Sequence, residues 1–237
     1  MKQTPTLKPK HSTWQRYLFL LLLSANGLLG HVMLQKVKMH PEGLPRPPSQ
    51  MQLRFATLDE RAVASYWANL YVQTADVHLH TELKDLDYPT AIEWLKAAKT
   101  VNPNSQYGLL LASRFFGELG VPEQRRLMLE FVYQSYLTHP ETAWPWLAHA
   151  TFVAQHGLHD LPLALKYAKT LREYATASTP IWAKQMEVFV LEDLNELEAA
   201  KILLGNLLQS GQFQNPRDFF LMQQRLNGLE EASKKQP

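Results

Sequence analysis

Apolar and small residues recur at steps of three and four through most of this chain. Leu161, Ala164, Leu165, Ala168, Leu171 and Ala175 form one stripe; Leu197, Ala200, Leu204, Leu207 and Leu208 form a second; Phe219, Met222, Leu226 and Leu229 form a third. That period marks helices with one buried face. No segment alternates apolar and polar residues long enough to predict a strand. Thr179-Pro180 and Asn215-Pro216 each pair a capping side chain with a proline at the first helical position. Asp160-Leu161-Pro162 and Val121-Pro122-Glu123 are weaker starts, while Gly120 and Gly157 suit helix ends. The pattern predicts an all-α fold of nine helices, near 58–77, 88–101, 105–119, 122–138, 142–156, 161–176, 180–194, 196–209 and 216–231.

Two stretches break the pattern. Residues 17–35 form a 19-residue run without a charged side chain, apolar on all sides rather than on one. At ~1.5 Å rise per residue it matches the ~30 Å hydrocarbon core of a bilayer. Lys2, Lys8, Lys10 and Arg16 precede it, and Lys36 and Lys38 close it. This basic bias predicts a cytoplasmic N-terminus with the rest exported, although Asn26 and His31 are costly in lipid. The alternatives are a cleaved secretory signal, with 18–23 as its apolar core and Leu23-Ser24-Ala25 as its cleavage site, and an acid-free mitochondrial presequence. Apolar residues continuing past Ala25 favour a retained single-pass anchor in an inner membrane, with the body periplasmic. Beyond it, Pro41, Pro45, Pro47 and Pro48 predict an extended spacer. The expected organisation is a basic tail (1–16), a transmembrane helix (17–35), a proline-rich linker (36–55), a helical repeat domain (56–232) and a disordered tail (233–237).

The helices carry a longer period. Pro103, Pro140, Pro180 and Pro216 lie 37, 40 and 36 residues apart, each between two amphipathic helices. Four residues after them stand Tyr107, Trp144, Lys184 and Phe220. A helix pair punctuated by proline at a fixed interval is the mark of an α-solenoid. Residues 91–104, with Ala91, Leu95, Ala98 and Pro103, resemble the second helix and closing proline of a tetratricopeptide repeat. Ala164, Ala168 and Leu171 repeat the theme, as do Ala200, Leu204 and Leu207; Trp146, Ala150, Val153 and Gly157 resemble a first helix. The resemblance covers roughly 58–216, with spacings longer than the usual ~34 and a poor match over 105–139. It implies a right-handed α-solenoid of antiparallel helix pairs, closed by a capping helix at 217–231.

Composition narrows the chemistry. The chain has 237 residues and no Cys, which excludes disulfides, thiolate metal sites and Cys nucleophiles. Its formal net charge of +2 hides an uneven distribution. Residues 1–40 hold six basic side chains and no acid, whereas 41–237 carry 18 basic and 22 acidic. A mildly acidic body offers nothing to nucleic acid. Nucleotide-binding, zinc-protease, serine-hydrolase and calcium-loop motifs are all missing from the sequence, so no cofactor or metal is expected. His149 and His156, seven residues apart, share one helix face but lie ~10.5 Å apart along it, too far to meet one ion. His78 and His80 diverge. Glu196 and Glu198 fit a helix N-terminus, and Trp67, Trp94 and Trp182 fall beside apolar stripes and are expected in the core.

Stacked helix pairs leave an extended groove suited to holding a polypeptide. In tetratricopeptide proteins the first helix of each pair lines it. The resemblance then places Tyr107, Arg114, Glu118, Trp144, Thr151, Gln155, Lys184 and Glu187 along the groove. The function expected is non-enzymatic: a membrane-anchored adaptor binding a protein or peptide, in the manner of envelope-complex assembly factors. A self-assembling structural subunit is the alternative, followed by an α-helical hydrolase, which would need two carboxyls ~5–9.5 Å apart.

Overall fold

The computed structural model describes residues 13–36, 43–213 and 215–234, with side chains in the first segment at Trp14 and 17–28 only. The expected basic tail before residue 13, the spacer residues 37–42 and the chain beyond 234 lie outside the described residues. The chain divides into two units, Met1–Glu42 and Gly43–Pro237.

In the first unit α1, Thr13–Lys36, is one helix of 24 residues. It is free of proline and rich in leucine, a strong helix former. Its described apolar side chains, Phe19, Leu21 and Leu23 among them, are exposed. Among the described residues no helix is long and apolar enough to cross a membrane. The second half of the charge-free run, residues 29–35, lies outside the described side chains.

The second unit is helical throughout, and no strand occurs among the described residues. A short α2, Gln50–Ala56, starts on a capping box in which the Ser49 Oγ accepts from Gln52 N–H and the Gln52 Oε1 from Ser49 N–H. There follow α3 (Arg61–Gln73), short turns at Ala75–His78 and Leu83–Asp85, and α4 (Tyr88–Val101). Helix α5 (107–119) begins as Tyr107–Leu110, passes through a π-helical turn at Leu111–Phe116 and ends at Gly117–Leu119. Helix α6 is Pro122–Thr138, and α7 (140–157) is Pro140–Phe152 followed by a second π-helical turn, Val153–Gly157. Then come α8 (Leu161–Glu173), α9 (Ile181–Lys184 and Met186–Asp193, broken at Gln185), α10 (Leu197–Gln209) and α11 (Pro216–Ser233).

Each helix from α3 to α10 packs on its successor, and α3 also meets α5, α4 meets α6, and α5 meets α7. Small residues make these approaches possible: Ala68, Ala91, Ala98, Ala112, Ala150, Ala164 and Ala168 are fully buried. One core cluster runs from Leu44 to Val190, and a second joins Val188, Leu204 and Leu208 to Leu229 of α11.

Three expectations change. The body begins at Gly43 rather than 56, because Leu44 and Leu53 are buried and the Trp94 indole donates to the Pro45 carbonyl at 2.6 Å. Burying a leucine contributes about 1.5–3 kcal/mol, enough to draw the proline-rich segment onto the body. The helix expected over 58–77 starts only at Arg61, after a left-handed turn at Leu58 and Asp59. Of the three tryptophans expected in the core, Trp94 is 2% exposed, but Trp67 is 46% and Trp182 50% exposed.

Candidate functional site

Helices α3, α5, α7 and α9 carry aromatic side chains that meet in pairs between them. Tyr66 of α3 stacks on Tyr107 of α5 with ring centres 5.5 Å apart. The Tyr107 hydroxyl donates to Gln73 Oε1, and burial, with Tyr66 beside it, pushes this phenol above its ordinary pKa. On α7 the Trp146 indole donates to Gln106 Oε1 at 3.0 Å. Trp144 meets Trp182 of α9 edge to face at 5.5 Å. Partnered polar tips leave the aromatic faces for contact with something else.

Local sequence sets these positions. Pro145 lies inside α7 and has no N–H for the Glu141 carbonyl one turn back. The Ser178 hydroxyl donates to that carbonyl at 2.8 Å, tying the loop before α9 to α7. At the other end of α7, Arg125 of α6 donates from Nε to the Gly117 carbonyl at 2.7 Å and from Nη1 to the Gly157 carbonyl at 3.1 Å. One cation thus caps the C-termini of α5 and α7 together.

A cavity of about 410 Å³ opens between these helices, walled by Arg114, Trp146, His149, Phe152, Trp182 and Met186. A second, of about 680 Å³, is lined by Thr176, Pro180, Trp182, Lys184, Gln212 and Asp218. Trp182 walls both. His149 Nε2 lies 2.8 Å from Glu118 Oε1, and Lys184 donates to Gln212 Oε1 at 2.7 Å. Arg114 is exposed and has no hydrogen-bond or ion-pair partner among the described residues. The site therefore pairs aromatic walls with one uncommitted cation.

Of the eight residues expected to line the groove, Arg114 walls the smaller cavity and Lys184 the larger, and Trp144 meets Trp182, which walls both; Tyr107 lies apart, against Tyr66 and Gln73. Arg114 and Glu118 are exposed on α5, and Tyr107, Trp144 and Lys184 are half-buried. Thr151, Gln155 and Glu187 instead point inward. The Thr151 hydroxyl donates to the Leu147 carbonyl at 2.9 Å, Gln155 Nε2 donates to Asp193 at 2.7 Å, and Glu187 accepts from Arg172 Nε at 2.5 Å. On α7 the outward line is half-buried His149 with exposed Phe152 and His156, one residue from the expected register. One residue is ~100° of helix rotation, so a face meant for the groove turns into the core. The signal was present in the seven-residue spacing of His149 and His156. Their rings flank Phe152, with centres 6.1 and 4.7 Å from it, and among the described residues no group of three or more His, Asp or Glu is placed to hold a metal. Glu198 pairs with Lys201, which holds its carboxyl below the usual range.

Comparison with protein-family models, with curated proteins and with solved structures finds no match for this chain. The site is therefore read from its own geometry.

Proposed function

We propose that this chain is a membrane-anchored adaptor that holds a polypeptide segment of a partner protein in the aromatic groove of α5, α7 and α9. The observation that carries the reading is Trp182, half-exposed at the junction of two cavities with Arg114 uncommitted across the nearer one. Aromatic walls accept apolar or aromatic side chains, and an unpaired guanidinium accepts a carboxylate. The ligand that fits is an aromatic-containing, mildly acidic segment.

A tetratricopeptide-like α-solenoid is the architecture in this proposal. Packing of each helix on its successor and of several alternate helices on one another supports it, as does burial of Ala91, Leu95, Ala98, Ala164, Ala168 and Leu171 at the repeat's signature positions. The membrane anchor rests on the charge-free run 17–35 within a 24-residue helix, a length of ~36 Å at ~1.5 Å per residue. The basic residues before that run favour an N-terminus in the cytoplasm with the body outside it.

Affinity capture from detergent-solubilised native membranes tests the adaptor role, comparing the full chain with a Trp182→Ala/Arg114→Ala variant. A partner recovered by the wild type and lost from the folded variant is the expected result. Recovery of this chain alone by the wild type refutes it.

A further inference from the structure

The first helix of the second unit carries a surface of its own. Met51, Phe55 and Leu58 are 81, 85 and 91% exposed, more than any other large hydrophobic side chain described. Spaced by four and three residues, they share the outward face of α2 and the turn that ends it, while Leu53 on the opposite face is buried. The turn is a Schellman ending: the Leu58 N–H bonds the Phe55 carbonyl at 3.2 Å, and the Asp59 N–H bonds the Arg54 carbonyl at 2.7 Å. That ending demands a left-handed residue after the cap, usually glycine. Here Leu58 takes it at φ 52°, followed by Asp59 at φ 65°. Arg54 grips the Asp59 carboxylate with two bonds of 2.5 and 3.1 Å and holds the turn shut. A branched side chain in this region is strained, and the fold gains no buried contact from it. The strain holds an apolar side chain out in solvent.

We propose that Met51, Phe55 and Leu58 form a foot that rests in the interfacial layer of the bilayer crossed by the anchor. The inference rests on the anchor reading above. Only six residues separate Lys36 from Gly43, a reach of at most ~25 Å at full extension, so a chain anchored through Lys36 keeps Gly43 within that distance of the bilayer. The tether ends where the buried Leu44 and the Trp94–Pro45 bond fix the chain, a few residues before α2. An amphipathic segment with an apolar outer face and arginines at its edges suits that layer; Arg46, Arg54 and Arg61 supply three cations to the two acids Asp59 and Glu60. The short tether and the arginine-rich edges together favour a lipid surface as the occupant of this face.

Because the chain has no Cys, single Met51→Cys, Phe55→Cys and Ile202→Cys variants of the full chain each take one spin label. Reconstituted in vesicles of phosphatidylcholine with a minority of phosphatidylglycerol, labels at 51 and 55 should show several-fold greater oxygen-over-nickel accessibility than the label at 202 on α10. Adding Leu58→Gly relieves the left-handed strain, so the melting temperature holds or rises while the lipid signal at 51 and 55 falls. Water-like readings at 51 and 55 in carbonate-resistant chains overturn the foot and leave the anchor standing. Water-like readings with short label-to-label distances assign the face to a second copy instead, which also overturns it. A chain that carbonate washes from the vesicles overturns anchor and foot together.

Discussion

The helices α4, α6, α8 and α10 are regular α-helices, whereas three of the four that alternate with them, α3, α5, α7 and α9, are interrupted. Helices α4 and α8 begin on aspartate caps, with Asp87 accepting from Thr90 N–H and Asp160 from Leu163 N–H. Between α6 and α8 the Tyr136 hydroxyl donates to the Leu171 carbonyl, and burial pushes that phenol up to about 12. Helices α5 and α7 contain π-helical turns, α7 also holds Pro145, and α9 breaks at Gln185. The interrupted helices are the ones that expose Trp182, Phe152 and Arg114. Regular geometry serves packing, while inserted residues re-aim side chains at a surface, as π-turns often do at functional sites.

The sharpest challenge to this division is the Arg172–Glu187 pair, which joins even α8 to odd α9 and in which Glu187 is 7% exposed. Arg172→Ala strands a buried carboxylate and should cost about 3 kcal/mol by denaturant titration. Replacing both residues by Met and Leu should recover most of it. A small effect from Arg172→Ala would mean that α9 is not anchored through this pair.

Glycine substitutions separate the two rows by sign. At Gly117, inside the first interrupted region, an added Cβ would lie 2.8 Å from the Ala112 carbonyl, five residues back. Gly117→Ala should therefore destabilise by about 2 kcal/mol. At Gly205 in α10 nothing lies within 4 Å, so Gly205→Ala should stabilise by about 0.5–1 kcal/mol. Equal effects would erase the distinction.

The caps of the regular row should respond to pH. Arg126, and after it the Leu163 N–H, hold the Asp160 carboxyl below its usual range against the opposing effect of burial. A depressed carboxylate adds stability that is complete above its unfolded value near ~3.9 and is lost as pH falls through the lower folded value. Asp160→Ala should cost about 1 kcal/mol at neutral pH and progressively less below pH ~4. Trp182→Ala should have the smallest effect on stability, under about 1 kcal/mol for a half-exposed side chain, while removing partner binding.

The nine helices α3 to α11 and most of their starts were legible because prolines, capping aspartates and three-four spacing are local signals. By contrast, α2 fell in the expected linker and α3 starts three residues late. The closing prolines and Ala-rich second helices located α4, α8 and α10 to within a few residues. The π-turns were not legible, since one inserted residue leaves no compositional trace beyond Gly117 and Gly157. Gln155 was expected in the groove but bonds Asp193, and Thr151, in the regular part of α7 before the π-turn, is turned inward as well, so the face assumed for α7 was already one residue out. Trp94 and Trp182 sit beside similar apolar stripes; the Pro45 carbonyl, 49 residues from Trp94 in sequence, and the Tyr71 and Trp67 rings of α3 cover Trp94 and leave Trp182 exposed. Leu44 was hidden among prolines whose composition reads as linker.

The claim that the interrupted helices grip another polypeptide is tested most directly by photo-crosslinking in native membranes. A benzoylphenylalanine replaces Phe152, 53% exposed in the groove, or Ile202, 60% exposed on regular α10. The account predicts one discrete, larger adduct from position 152 and none from 202. No adduct at 152, or the same products from both positions, would contradict it.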